Sequence, residues 1–146
     1  MYWITAAIVV ILDQLSKYLV RTKMVLGSSA PFLGKLAEFT YIQNSGAAFS
    51  ILEGKTSLLL VFTAALMIGV SVYANAPKFG ATKLERFACA LLLGGGLGNF
   101  ICRVRVGSVT DFINIHILPV FNLADIAVCI GCGLIIISAL FLDKKD

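Results

Sequence analysis

The sequence predicts an all-α membrane protein in which four transmembrane helices carry a small strand-containing segment outside the membrane. Of its 146 residues, 59% are hydrophobic and only 14% are charged, and the mean hydropathy is +0.94, far from the balance of an average soluble domain. Four apolar stretches each approach the roughly 20 residues that a helix needs to cross a hydrocarbon core. They cover about residues 2–20, 56–74, 84–102 and 121–142. The short connections leave no room for a second domain, so residues 1–146 are predicted to form one bundle.

A polar group interrupts the first stretch at Asp13-Gln14-Leu15-Ser16-Lys17. The stretch has no basic region ahead of it and no small-residue cleavage signal behind it, so we expect a retained helix rather than a removable signal peptide. Asp13 and Lys17 lie one helical turn apart, in the order that favours an intrahelical ion pair. Lys17, near the helix end, is expected to reach the interface, whereas the deeper Asp13 needs a partner. We expect Asp13 to hold the first helix in place rather than to act in catalysis.

The connection between the first two spans is predicted to contain a strand. Leu36 to Ile42 is rich in aromatic and β-branched residues with some alternation, which is typical of a strand. Gln43 to Gly46 then forms a turn signal, because Asn and Gly tolerate unusual backbone angles. Residues 47–49 are expected to return the chain toward the membrane. We therefore expect ordered, partly apolar structure on the outer bilayer surface.

The third span combines small residues with a polar stripe. Gly94, Gly95, Gly96 and Gly98 would let a neighbouring membrane helix approach closely, and packing is the simplest explanation for them. Asn99 and Arg103 are one turn apart and share a face with Gly95 and Gly96. Such a stripe is expected to point into the bundle or a cavity rather than into lipid.

Two aspartates mark the candidate site. Asp111 falls in the short segment that follows the third span, and Asp125 falls in the first turn of the last one. A hairpin-like return would bring them together. Two carboxyl groups in contact do not both ionise cheaply, so one keeps a proton while the other serves as a base toward water, as metal-free peptide hydrolysis requires. The alternative is two separate structural groups, helix caps or ion-pair partners of Arg103 and Arg105, and spacing alone leaves both open.

Asn122 lies one turn before Asp125, just after Pro119, and is a candidate N-cap of the last helix.

Several classes of function are disfavoured by composition. The net charge is +4, but the twelve Lys and Arg residues are spread along the chain as membrane-edge residues, so no nucleic-acid partner is expected.

The short connection near residues 75–83 and the Lys144–Lys145 tail favour a cytoplasmic location for both termini. Four cysteines lie in or at the ends of apolar spans, where a thiol usually behaves as a small hydrophobe. With His116 as the single histidine, no metal and no cofactor are expected.

Five blocks of the sequence together resemble the bacterial lipoprotein signal peptidase family. The resemblance covers essentially the whole chain, in family order and at family-like separations. The blocks are residues 13–17 (DQLSK), 44–49 (NSGAAF), 94–99 (GGGLGN) with Arg103, 109–112 (VTDF) and 121–125 (FNLAD). One departure is Cys102, where the family commonly has an acid before the arginine.

The resemblance implies a four-helix aspartyl endopeptidase with a small β-rich cradle, in the bacterial cytoplasmic membrane, with its active site near the extracytoplasmic face. It implies cleavage of signal peptides from diacylglyceryl-modified prolipoproteins, just before the lipid-bearing cysteine, without a cofactor. Membrane lipids are the other expected partners, and a monomer is expected. Asp111 and Asp125 correspond to the catalytic pair. The substrate-binding positions are Asn44, Asn99, Arg103 and Asn122, and the supporting positions are Asp13, Lys17 and Gly98.

Two other classes of function remain as alternatives. A small proton-coupled transporter or channel would use the acids as a proton relay, but transport sites tend to lie near the bilayer midplane on broken helices. Asp111 and Asp125 instead fall at the same end of their helices. A non-catalytic assembly subunit would suit the glycine-rich packing, yet it leaves both acids unexplained.

Overall fold

The computed structural model describes residues 2–46 and 55–142. In chain order its helices and strands run as follows: α1 Tyr2–Lys23, β1 Ser29–Pro31, β2 Glu38–Asn44, α2 Thr56–Asn75, a 3-10 turn at Pro77–Phe79, α3 Lys83–Val106, β3 Val109–Asn114 and α4 Leu123–Phe141. The predicted return of residues 47–49 and the Lys144–Lys145 tail lie outside the described residues.

Four helices are long and apolar enough to cross a membrane, which confirms the predicted class of fold. Apolar side chains that water would disfavour stand exposed on the outside of the bundle; Ile4 and Ile11 of α1 are 67% and 62% exposed. Such side chains are stable in a hydrocarbon solvent. The predicted spans are confirmed to within a few residues at most ends. Helix α3 runs further than predicted, to Val106, so Arg103 and Arg105 lie within its last turns.

Helix α3 is the centre of the bundle and packs against each of the other three helices. Its glycines allow this. A Cβ built on Gly94 would lie 2.7 Å from Val9 Cβ of α1, and one built on Gly95 would lie 2.5 Å from the Ala124 carbonyl oxygen of α4. Both distances are far below van der Waals contact. The predicted close packing of the glycine stripe is therefore confirmed.

Both α3 and α4 begin with a capping box, in which the first residue and the residue three positions later satisfy each other's backbone N–H groups. Thr82 and Glu85 form the box of α3. Glu85 also accepts a hydrogen bond from the Ser138 hydroxyl of α4, 3.1 Å away. This contact joins α3 and α4 at the end of the bundle away from the sheet.

The three strands form an antiparallel sheet in the order β1-β2-β3. The strand prediction was right in kind but wrong in extent, because β2 continues through Gln43 and Asn44, which were predicted to form a turn. Strand β3 was missed altogether. Asp111 therefore lies in a strand and not in a loop, opposite Ile42 of β2. Pairing with β2 supplies the hydrogen-bond partners that no local pattern in residues 109–114 predicts.

The sheet sits on the end of α1 through a small apolar core. Val20 of α1, Tyr41 of β2 and Phe112 of β3 are all buried there. After β3 the chain turns back, and Phe121 pairs with Ile113 immediately before α4 begins. This pairing holds the start of α4 beside β3, and it places the last helix two residues later than the predicted start at residue 121.

We expect Gly95→Ala to destabilise the protein by about 1–3 kcal/mol, because the added methyl group would overlap the Ala124 carbonyl and Val128. The matched control is Gly133→Ala in α4, where a Cβ meets nothing within 4 Å. Thermal unfolding midpoints of the two variants in the same detergent would be compared. Equal midpoints would contradict the close α3–α4 contact.

Candidate active site

A cavity of about 540 Å³ opens between α3, α4 and the sheet. Most of its wall is apolar and comes from α4 and from the chain that precedes it. The polar exceptions are the side chains that the sequence singled out: Asn44, Asn99, Arg103, Asp111 and Asp125. The structure thus brings together five of the predicted site residues from four different elements.

Asp111 is buried at 2% exposure in β3. Both of its carboxyl oxygens accept hydrogen bonds from side-chain amides. Oδ1 accepts from Asn122 Nδ2 at 2.6 Å, and Oδ2 accepts from Asn44 Nδ2 at 3.0 Å. Asn44 is itself held by its Oδ1, which accepts from the Gly46 backbone N–H at 2.9 Å.

Asp125 combines a structural contact with a place in the cavity wall. Its Oδ2 accepts from the Asn122 backbone N–H at 3.1 Å, and Asn122 Oδ1 accepts from the Asp125 backbone N–H at 3.1 Å, which completes the capping box of α4. The N-cap prediction for Asn122 is therefore confirmed. The other carboxyl oxygen of Asp125, Oδ1, takes no part in the capping box and accepts a hydrogen bond from Asn99 Nδ2 at 2.8 Å. In the described part of the chain neither Asp111 nor Asp125 forms an ion pair with Arg103 or Arg105, contrary to that alternative.

Asn122 joins the two acids. Its side-chain amide donates to Asp111, while its backbone and side-chain carbonyl form the box with Asp125. It is fully buried. The separation of the two carboxyl groups is thus set by one rigid residue at a helix N-terminus.

Lys17 departs from its predicted position. It does not extend to the interface but is fully buried, and its Nζ lies 2.8 Å from Asp13 Oδ2, so the predicted ion pair is confirmed while the interfacial placement is wrong. The Lys17 ammonium also donates to Asn99 Oδ1 at 2.8 Å. Because an ammonium only donates, the oxygen of the Asn99 amide must face Lys17 and its NH2 group must face Asp125. Lys17 thereby determines the orientation of an amide that contacts Asp125.

Asp13 connects α1 to the start of α4. Its Oδ1 accepts from the Ala124 backbone N–H at 3.0 Å, one of the N–H groups that a helix start leaves without an internal partner. Gly98 makes room for this carboxylate, because a Cβ there would lie 2.5 Å from Asp13 Oδ2. Gln14, to which no role was assigned from the sequence, donates to Asp13 Oδ2 and to the Gly98 carbonyl, both at 3.0 Å. The sequence feature that indicates this role is the position of Gln14, an amide next to an acid on an otherwise apolar helix.

Arg103 reaches the cavity from the last turns of α3. One guanidinium nitrogen, Nη2, donates to the Gly46 carbonyl at 2.8 Å. Its Nε is buried and has no hydrogen-bond partner among the residues that the structure describes. A buried donor without an acceptor is costly, so this N–H is available to a ligand that brings a carbonyl oxygen into the cavity.

Burial and, to a smaller extent, the neighbouring Asp125 carboxylate raise the pKa of the Asp111 carboxyl from its ordinary 3.8 to about 6. The amide donors Asn44 and Asn122 and the Lys17 ammonium oppose the shift. The two acids therefore differ in environment. Below about pH 6 the pair holds a proton on Asp111.

Within the described residues, no group of three His, Cys, Asp or Glu side chains is placed to hold a metal ion. The cavity instead offers two carboxyl groups around a shared asparagine, which is sufficient for hydrolysis by general acid–base catalysis. The class of protein so defined is an intramembrane aspartic peptidase.

Comparison with known proteins identifies the family. The model of the signal peptidase (SPase) II family matches residues 5–141. A lipoprotein signal peptidase from Halalkalibacterium halodurans is 38% identical over 99% of this chain and 94% of its own, and one from Halothermothrix orenii is 40% identical over 94% and 93%. A solved bacterial membrane enzyme structure superposes with a TM-score of 0.88 at 34% identity, covering 99% of this chain and 93% of that one. A second has a TM-score of 0.86 at 35% identity, covering 96% and 92%. The chain belongs to the signal peptidase II family.

Replacing Lys17 by Met should lower the free energy of unfolding by about 3 kcal/mol or more, because it leaves the Asp13 carboxylate buried without its cation. Lys23→Met removes the same charge from the exposed end of the same helix and should change stability by less than about 0.5 kcal/mol. Unfolding in detergent measures both. Adding Asp13→Asn to Lys17→Met should recover part of the loss, and similar values for the two lysine variants would contradict the buried pair.

Proposed function

We propose that this protein removes signal peptides from lipid-modified prolipoproteins, and that Asp111 and Asp125 form its catalytic pair. One observation supports the pairing above all others. Both carboxyl groups face one cavity, and a single buried residue, Asn122, hydrogen-bonds to each of them.

Asp111 is the acid of the pair in this proposal. Its raised pKa of about 6 leaves it protonated more readily than an ordinary aspartate. Asp125 is the base. Its carboxylate accepts from Asn99 Nδ2 and from the Asn122 backbone N–H, and it lies in the first turn of α4, where the helix dipole stabilises negative charge.

Catalysis then proceeds in two steps, each with two proton transfers. Asp125 takes a proton from a water molecule as its oxygen attacks the scissile carbonyl, while Asp111 donates its proton to the carbonyl oxygen. The tetrahedral intermediate collapses as Asp125 returns a proton to the leaving amine and the C–N bond breaks. Asp111 recovers its proton from the hydroxyl of the intermediate as the carbonyl reforms, so the pair returns to its starting state.

The polar residues beside the acids fit an extended peptide. Asn44, Asn99 and Arg103 each present an amide or guanidinium to the cavity. The Nε of Arg103, which has no partner among the described residues, is suited to a substrate carbonyl. The apolar wall from Leu118 to Ile130 is suited to a hydrophobic segment or an acyl chain that arrives from the bilayer. Asp13, Lys17 and Gly98 support this wall from behind through Asn99 and the start of α4.

The proposal includes a location. We place the protein as a monomeric single domain in the bacterial cytoplasmic membrane, with both termini in the cytoplasm and the active site near the extracytoplasmic face. The sheet and both acids lie at one end of the bundle, where α1 and α3 end and α2 and α4 begin. A reporter inserted between β1 and β2 distinguishes the two orientations. No cofactor takes part in the proposed reaction.

The alternative function, a proton-coupled transporter or channel, is not supported by the positions of the polar groups. The polar groups that line the cavity lie at the sheet end of the bundle, whereas a proton pathway needs groups distributed across the bilayer. Membership of a peptidase family accounts for the pair directly.

Purified protein incubated with a lipid-modified prolipoprotein should release the signal peptide, and product masses should place the cut just before the lipidated cysteine. Asp111→Asn and Asp125→Asn should each lower the turnover rate by at least about 10³-fold, because an amide can neither accept the proton of water nor deliver one. The double variant should be scarcely slower than either single variant, since the two groups act as a unit.

Glu38→Gln is the matched control for these variants. It also replaces an acid of the sheet by its amide, but Glu38 does not line the cavity, and its hydrogen bonds to Thr40 and Asn114 can persist. It should cleave at close to the unaltered rate. Substantial turnover by either Asn variant, with the control intact, would exclude the catalytic pair.

The pH dependence of kcat/KM should have an alkaline limb near pH 6. The pKa of Asp111 is raised, so its proton is retained as the pH rises and is lost only near 6, after which the pair has no acid to offer. Bound substrate excludes water and raises this pKa further, so the alkaline limb of kcat should lie at higher pH than that of kcat/KM. A kcat/KM that increases steadily from about pH 5 to about pH 8 would contradict Asp111 as the acid.

A further inference from the structure

A second polar cavity lies on the α1 side of α3, away from the active site. Its volume is about 300 Å³, and it shares no lining residue with the active-site cavity. Its wall comes from α1 and from the end of α3. The lining residues are Gln14, Tyr18, Arg21, Cys102, Arg105 and Val106.

Among the residues that the structure describes, no carboxylate balances the charge of this cavity. Two guanidinium groups, Arg21 and Arg105, line it, and no carboxylate does. Neither arginine forms an ion pair with a carboxylate within residues 2–46 and 55–142. Within the described part of the chain, Arg21 makes one long hydrogen bond, from Nη1 to the Thr110 hydroxyl at 3.4 Å. Two cations on one cavity repel each other unless an anion lies between them.

The cavity is also at the right depth for a lipid headgroup. Arg21 and Arg105 lie in the last turns of α1 and α3, at the end of the bundle that carries the sheet. Tyr18, one turn before Arg21, is exposed, as are the apolar side chains of Leu15 and Val106 beside it. A tyrosine with basic residues just beyond an apolar helix surface is typical of the membrane interface.

We propose that this cavity binds the phosphate of an anionic phospholipid, with Arg21 and Arg105 holding the phosphate oxygens. Guanidinium groups match phosphate geometry with paired N–H donors, and basic pockets between membrane helices suit anionic headgroups. The acyl chains would lie on the exposed apolar surface of α1. That surface favours a lipid over a free phosphate ion, because only a lipid gains from contact with it.

The two arginines are not explained by helix electrostatics alone. Basic residues in the last turn of a helix compensate its dipole, but Lys23 serves that purpose on α1 without lining this cavity. Gln14 links the cavity to the rest of the fold, since it contacts Asp13, Gly98 and the Cys102 thiol across the α1–α3 interface. A lipid bound here therefore holds α1 against α3 behind the active site.

The test uses the purified full-length protein in a neutral detergent, titrated with phosphatidylglycerol. Native mass spectrometry counts bound lipid, and the thermal unfolding midpoint follows its effect. We expect one tightly bound phosphatidylglycerol and a rise in the midpoint, with no comparable rise from phosphatidylcholine or inorganic phosphate. Equal effects of phosphatidylcholine would overturn the proposal, because its phosphate is already neutralised by choline. An equal effect of inorganic phosphate would show an anion site that is not a lipid site and would also overturn it.

Four variants locate the binding, and a fifth serves if one of them fails to fold. Arg21→Gln and Arg105→Gln should each weaken phosphatidylglycerol binding roughly tenfold, whereas Lys23→Gln, which removes the same charge from the same end of α1, should weaken it no more than about twofold. Cys102→Asp places a carboxylate inside the cavity and should abolish binding while leaving both arginines present. If Arg21→Gln fails to fold, Arg21→Lys keeps the charge without the fork and should still weaken binding. Equal losses for Lys23→Gln and the arginine variants would reduce the effect to diffuse surface charge and refute a built site.

Discussion

The structure depends on one constraint: polar groups buried among membrane helices must satisfy one another, because the surrounding hydrocarbon offers no partners. The buried Asp13–Lys17 pair is where this constraint is most severe. Besides pairing with each other, both side chains form a hydrogen bond to another helix. Lys17 donates to Asn99 of α3, and Asp13 accepts from the Ala124 backbone of α4. An ion pair within one helix thus holds three helices at the end of the bundle that carries the cavity.

A chain of hydrogen bonds leads from this pair to the two acids. The donor or acceptor character of each group determines how the groups along this chain are oriented. Lys17 orients the Asn99 amide, Asn99 donates to Asp125, and Asn122 contacts both Asp125 and Asp111. Asn44 closes the far side of Asp111 from β2. The candidate catalytic carboxyls are therefore approached by amide donors on fixed elements. Such an arrangement holds the two carboxyl groups in a defined relative position, as catalysis by a pair of acids requires.

Close packing makes that network possible. Gly98 admits the Asp13 carboxylate and Gly95 admits the backbone of α4, so the polar atoms of three helices can come within hydrogen-bonding distance. The sheet adds the remaining acid. Because β3 pairs with β2 and packs through Phe112 on the end of α1, Asp111 is delivered to the cavity by a rigid strand and is buried there, which raises its pKa. Its burial and its place in the candidate site thus have a common origin.

The sequence by itself determined the four membrane helices, the glycine packing of α3, the Asn122 cap and the Asp13–Lys17 pair. Each depends on composition or on spacing within a single helix, and the physical rule for each is local. It also singled out Asp111 and Asp125 as the acids in need of an explanation. Tertiary structure alone decided that Asp111 belongs to a strand, that Lys17 turns inward to Asn99, and that Asp13 reaches the start of α4. These contacts join residues far apart in the chain. Which donor meets which acceptor depends on how the helices pack against one another, and a local sequence pattern does not predict this.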